Sequence, residues 1–257
     1  MPSLEGKFWE TENPDDSFSV TQRLIFKREK IDVKIVKKES DDTIKFELFQ
    51  RLNTLGSKLS DQEVRNCLLV MLNREFYTWL KALSEDEHFL NTISLADRLI
   101  DEKYNMELAL RFLIISSIDP NEVRSLNDFS EFVTEKMILI AEDEHYDKVE
   151  NERIFRETFK LLDETLSEQA FKKYVVDKDK FEGKFLLASY EALAIGIGKN
   201  IDAWLAQPHD EAQQTNLRDK IKGIWQNPQF LARYGSGVNV TSRVPVIVPL
   251  GAQVFVP

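Results

Sequence analysis

Three arginines, Arg51, Arg65 and Arg111, have the chemistry to hold an anion. A guanidinium presents a planar fork of N–H donors that meets phosphate or carboxylate oxygens in pairs. Two carboxylates, Glu63 and Glu191, are placed to counter them. Arg111 lies in Leu108-Ala109-Leu110-Arg111-Phe112-Leu113-Ile114-Ile115, and Glu191 in Leu186-Leu187-Ala188-Ser189-Tyr190-Glu191-Ala192-Leu193-Ala194. A helix through either stretch is apolar nearly all round, so it drags its one charge towards the interior, where that charge needs a partner. Arg111 is therefore expected to pair with Glu191 or with Glu63. Two readings stay open: an internal ion pair that fixes helix register, or an anion-binding wall of Arg111, Arg51 and Arg65.

The elements that position these residues can be read around Ser60. Ser60 and Glu63 fit a capping box, which starts a helix at about Asp61. Gly56 can supply a positive φ, so Asn53 to Leu59 reads as an ordered loop after a helix over Thr43 to Leu52. Arg51, Asn53, Glu63 and Arg65 then gather around one loop. Apolar residues at helical spacing continue the pattern over Asp61–Leu72 and Arg74–Ser84, followed by two short pieces to about Ile100. Longer helices are expected over Asp101–Ile118, Asn127–Glu142, Val149–Ser167, Lys184–Ile197 and Asp210–Trp225, with stops at Asp119-Pro120 and Asn227-Pro228.

Phe49 to Asn66 resembles a motif of the ParB-like nucleotidase/nuclease family typified by the N-terminal domain of the GmrSD modified-DNA restriction enzyme. That motif runs Phe-x-Arg-hydrophobic-Asn-x-Gly-Gly-x-x-Leu-x-x-x-Glu-hydrophobic-Arg-Asn, and the departure here is Leu55, in place of the first glycine. Met106-Glu107-Leu108-Ala109-Leu110-Arg111-Phe112-Leu113 is similar to the family's acidic-hydrophobic-x-Leu-Arg-Phe-Leu helix, and Phe129 to Met137 to its Phe-x-x-Phe-hydrophobic-x-x-x-Met segment. The resemblance runs from about Leu4 to Arg243 and covers the later part of the family's domain. It implies nucleotide- or anion-binding roles for Arg51, Asn53, Arg65 and Arg111, with Glu63 and Glu191 in support. It also implies hydrolysis of a nucleoside triphosphate with a divalent metal in a complete protein, and defence against foreign or modified DNA. The family's Asp-Gly-Gln-Gln-Arg signature is not in this sequence. The expectation is a split or truncated protein that needs an upstream catalytic half or partner chain, with DNA reached through the complete protein. The alternative is a stand-alone helical interaction scaffold, homo-oligomeric or bound to another chain.

No nucleophile or acid–base pair stands out. A phosphate-cradling Gly-x-x-x-x-Gly-Lys-Ser/Thr loop, a His-Glu-x-x-His zinc motif and a Cys-x-x-Cys pair are all missing, and the three histidines lie far apart. No catalytic or metal-ligating residue is assigned, and no cofactor to this chain alone. The repeated Glu-Asp-Glu-His at 85–88 and 142–145 reads as solvated helix ends. Cys67 has the neighbours of a buried small hydrophobe. Gly196 and Gly198 read as a helix C-terminal cap.

With 257 residues, 42% hydrophobic composition and a net charge of −10, the chain reads as mainly α: an antiparallel helical bundle with a short N-terminal β element. Its acidity argues against a surface that grips nucleic acid throughout. The stretch Gln22 to Lys38 is basic, with seven lysines and arginines against two carboxylates, and Ile31 to Val36 alternates as a strand would. That face either binds an anionic patch or is a solvated edge. Nothing reaches the length of a membrane span or resembles a secretory signal, so a cytoplasmic location is expected. Residues 1–59 are assigned to the end of an α/β subdomain, 60–234 to the bundle, and 235–257 to an extended apolar tail with spaced prolines. That tail is expected to dock on the bundle or to pair with a partner by its main chain.

Overall fold

The computed structural model describes residues 6–30, 59–235 and 237–257. The chain divides into two compact units, Met1–Lys45 and Phe46–Pro257. The expected strand at Ile31 to Val36, the helix over Thr43 to Leu52 and most of the Asn53 to Leu59 loop lie outside the described residues.

In the first unit, Phe8 N donates to Asp16 O and Phe18 N to Phe8 O, both at 2.8 Å, which folds the chain back around Pro14–Asp16. Helix α1, Val20–Arg28, then opens on a capping box in which Gln22 N donates to Ser19 Oγ and Ser19 N to Gln22 Oε1. Arg23, Lys27 and Arg28 of the basic stretch are thus helical. Trp9 sits edge-on to Phe18 and Phe26.

The second unit is mainly α, as the periodicity predicts. Helix α2 spans Asp61–Leu72 and begins with the expected capping box: Glu63 N donates to Ser60 Oγ at 3.2 Å and Ser60 N to Glu63 Oε2 at 2.8 Å. Helix α3, Arg74–Ser84, follows at once because Asn73 caps it through Phe76 N. Two short helices, α4 (Glu87–Ile93) and α5 (Asp97–Asp101), precede α6, Tyr104–Ser117. The single helix expected from Asp101 is broken here, because Lys103 takes a left-handed conformation with φ 61°.

Helices α7 (Phe129–Glu142) and α8 (Lys148–Leu166) lead into a small antiparallel hairpin, β1 Lys173–Val175 with β2 Lys180–Glu182. Then come α9 (Leu187–Gly198), α10 (Ile201–Leu205), α11 (Glu211–Ile224), α12 (Pro228–Leu231) and α13 (Val240–Val254). Phe89, Phe112, Phe155 and Phe159 interlock at the centre with ring centroids 4.5–5.5 Å apart, edge-on or tilted.

The C-terminal residues correct the expectation of an extended tail. Val240–Val254 is helical despite Pro245 and Pro249. Each interior proline withdraws one N–H and costs about 3 kcal/mol. Against that, Val244, Ile247, Val248 and Phe255 are shut off from solvent, and full burial of such a side chain is worth about 1.5–3 kcal/mol. Carbonyls at the end of the helix are taken up as well: Trp204 Nε1 donates to Phe255 O and Asn200 Nδ2 to Ala252 O.

Gly196 and Gly198 are likewise not a cap. A methyl on Gly196 would overlap the backbone of Gly251, and one on Gly251 would overlap the carbonyl of Ala192. Gly198 makes room for the ring of Phe112. Gly196 and Gly251 let α9 and α13 touch backbone to backbone.

The first Glu-Asp-Glu-His copy is not merely solvated. Asp86 caps α4 through Phe89 N and pairs with Arg156, and His88 Nδ1 lies 2.8 Å from Asp163 of α8. Cys67 is partly buried, and burial, aided by Glu63, pushes its thiol pKa up.

Candidate functional site

Helix α2 turns Leu68 and Leu69 into the core, and the same face carries Gln62 and Arg65 inward. Arg65 keeps only 2% of its surface. Its Nε donates to Gln62 Oε1 at 3.1 Å and its NH1 to Ser130 Oγ at 3.2 Å, while Ser130 in turn donates to Asp61 Oδ2 at 2.7 Å. On the far side, Arg65 NH2 lies 4.0 Å from Glu107 Oε2.

Glu107 precedes Arg111 by four residues on α6, the spacing that stacks two side chains on one helix face. Arg111 Nε and NH2 both donate to Glu107 Oε1, at 2.9 and 2.7 Å. The Arg111 guanidinium also lies over the ring of Phe129, 4.8 Å from its centroid. Its NH1 reaches Glu191 Oε1 at 3.5 Å. Glu191, fully buried on α9, is gripped more closely by Arg243 of α13, whose Nε and NH2 donate at 2.7 and 3.0 Å. Arg243 NH1 completes its fork on the carbonyl of Val238.

Arg65, Glu107, Arg111, Glu191 and Arg243 therefore alternate in sign as one chain through α2, α6, α9 and α13. Burial alone would lower the pKa of Arg111, but Glu107 and Glu191 hold it above the ordinary arginine value. Arg65 goes the other way: burial pulls it down and outweighs the opposing pull of Glu107 and Asp61. Tyr104, at the start of α6, has its pKa pushed up to about 12, mostly by burial, with Arg111 opposing and Glu107 reinforcing.

The expected pairing of Arg111 with Glu191 is present, although Glu107 is the closer partner. Glu63 does not pair with Arg111; it caps α2 at Ser60. Arg51 and Asn53 lie outside the described residues. Glu107, Arg243, Ser130 and Tyr104 were not singled out from sequence. Glu107 was findable from its spacing to Arg111, whereas Arg243 was hidden by the extended reading of the tail.

The three segments that carry the family resemblance meet in this cluster: Arg65 from the first, Glu107 and Arg111 from the second, Phe129 and Ser130 from the third. Beside it, Asp61, Asp128, Glu131 and Glu135 line an open hollow. Among the described residues, no group of three or more histidine, cysteine or carboxylate side chains is arranged to hold a metal ion, and no helix is long and apolar enough to cross a membrane. No protein-family model, curated protein or solved structure matches the chain.

Proposed function

We propose that the chain is the helical scaffold portion of a ParB-like nucleotidase/nuclease that acts in defence against foreign or modified DNA. In this reading, hydrolysis of a nucleoside triphosphate with a divalent metal needs residues of the Asp-Gly-Gln-Gln-Arg type from outside these 257 residues. One observation carries it: three segments, far apart in sequence and each similar to a motif of that family, bring Arg65, Glu107, Arg111, Phe129 and Ser130 together in one buried ion cluster. The scaffold's contribution is to hold Arg65 and Arg111 at fixed positions, so that an anion pocket completed by the catalytic residues finds its walls already rigid.

The second reading is a helical interaction scaffold without chemistry. It is favoured by the engagement of both guanidiniums: Arg65 is spent on Gln62 and Ser130, and Arg111 on Glu107 and Glu191. The experiment that separates the two is nucleoside triphosphate hydrolysis by the chain alone and mixed with a separately expressed polypeptide that carries the Asp-Gly-Gln-Gln-Arg half, with Arg51→Ala as control. Activity in the mixture that is lost with Arg51→Ala supports the nucleotidase reading. A mixture as inert as its parts leaves the scaffold.

A further inference from the structure

A groove between α12 and α13 has a volume of about 460 Å³ and opens to solvent, within the range of about 300–1,000 Å³ usual for small-ligand sites. One wall is Pro245, Val246, Pro249 and Leu250, whose spacing puts them on a single face of α13. Gln253 extends that face by one turn, and Gln229 of α12 with Arg233 just beyond it form the other wall.

Among the described residues, Arg233 is the one charged group on this lining. Arginine has five N–H donors, and the side chain of Arg233 commits one of them, with Nε donating to Ser242 O at 3.2 Å. Its NH1 and NH2 meet no carboxylate among the described residues, whereas Arg65, Arg111 and Arg243 each face one. The prolines add acceptors. Pro245 and Pro249 withdraw the N–H groups that the carbonyls of Thr241 and Pro245, four residues earlier, would accept from in a regular helix. Acceptor capacity is thus left next to the proline rings that line the groove.

We propose that this groove binds the C-terminal residue of a peptide that ends in an aliphatic side chain. The terminal carboxylate takes the NH1 and NH2 fork of Arg233, and the aliphatic side chain lies on Val246, Pro249 and Leu250. Peptide N–H groups donate to the Pro245 carbonyl, with the amides of Gln229 and Gln253 as further partners. These carbonyl acceptors decide for a peptide over a fatty acid, which has a carboxylate and an apolar tail but no N–H to give. None of the groove's residues belongs to the ion chain from Arg65 to Arg243, and the site does not rest on the nucleotidase reading.

The test is a fluorescence-polarisation titration of the full chain against the peptide Ser-Gly-Ala-Val-Leu, labelled with fluorescein at its N-terminus, as the free C-terminal acid and as the C-terminal amide. Saturable binding of the acid is expected, with the amide weaker by about tenfold, the loss of one charge-assisted contact. Arg233→Gln should weaken the acid by a similar factor and hold the amide as the parent does, a difference that a folding defect could not produce. Octanoate added as competitor should displace the peptide poorly. No saturable binding at millimolar concentration, equal binding of acid and amide, or an Arg233→Gln variant that holds the acid like the parent overturns the site. Octanoate that competes as well as the unlabelled acid peptide overturns the peptide assignment in favour of a free fatty acid.

Discussion

Glu191 and Arg243 lie 52 residues apart and form a two-point ion pair at 2.7 and 3.0 Å in which the carboxylate has no contact with solvent. Helices α9 and α13 are otherwise apolar where they meet, and the Gly196–Gly251 contact lets them slide close. A slip of one helix along the other would leave a buried carboxylate without its partner. The pair thus selects one docking of α13, which is the register role expected of a buried ion pair in an apolar interface.

Arg243→Ala is therefore expected to cost about 3–5 kcal/mol, the range for stranding one partner of a buried pair. The double replacement Glu191→Leu with Arg243→Leu should recover most of that loss, because neither charge then stays buried alone. Urea unfolding of the two variants and of Glu191→Leu closes the cycle. A double variant no more stable than Arg243→Ala would refute the register argument.

Backbone contact between α9 and α13 makes a second expectation. Gly251→Ala places a methyl on the Ala192 carbonyl and should destabilise by about 1–3 kcal/mol through overpacking. Gly223 lies within α11, where a methyl meets nothing within 4 Å. Gly223→Ala should stabilise by about 0.5–1 kcal/mol. Thermal melts of the pair, read side by side, separate steric overlap from helix propensity.

Alkali offers a third. The folded pKa of Tyr104 is raised from 10 to about 12. Its contribution to stability is fully present below pH 10 and is lost as the pH rises through 12, because the unfolded chain ionises first. Between these values the loss runs at about 1.4 kcal/mol per pH unit from this group. Other tyrosines are raised too, so the quantity to measure is the difference between the parent and Tyr104→Phe in unfolding free energy from pH 9 to 12. That difference should change across the window; a flat one would contradict the assignment.

Ser60 does two jobs. Its hydroxyl accepts from Glu63 N and donates to Glu102 O at 2.8 Å, so it caps α2 and ties it to the turn before α6. Ser60→Ala should cost about 0.5–2 kcal/mol, with the larger end favoured by the second bond. Circular-dichroism melts of Ser60→Ala and Glu63→Ala should both show lower midpoints.

Legibility followed the strength of local signals. The capping box at Ser60, the stop at Asp119-Pro120 and the apolar spacing of α2, α3 and α7 are decided within a few residues, and they were readable in order. Helix α13 was not, because two prolines signal against a helix locally while the burial that outweighs them comes from packing on α9 and on the 3-10 turn Pro120–Ser125. The hairpin at Lys173–Glu182 has strands of three residues, too short to show a period; its one sign is the pairing of Tyr174 with Phe181. At the candidate site, the lone charges of Arg111 and Glu191 signal that partners are needed; of the two partners expected for Arg111, Glu191 lies at 3.5 Å and Glu63 caps α2 instead, while the closer partner is Glu107. Arg243, in the segment read as a tail, could not be paired with anything until that segment was folded.

The dependence of α9 on α13 also has a meaning in time. On a ribosome, Glu191 leaves the exit tunnel some fifty residues ahead of Arg243, roughly three to ten seconds at ordinary synthesis rates. During that interval α9 is a greasy helix whose buried charge has only the longer contact to Arg111, and its glycine groove stands open. Nascent chains arrested before residue 240 are expected to be cut readily by protease and to recruit holding chaperones, and chains arrested with α13 emerged to resist both. The last helix of the bundle, on this account, closes a fold that the earlier helices cannot finish among themselves.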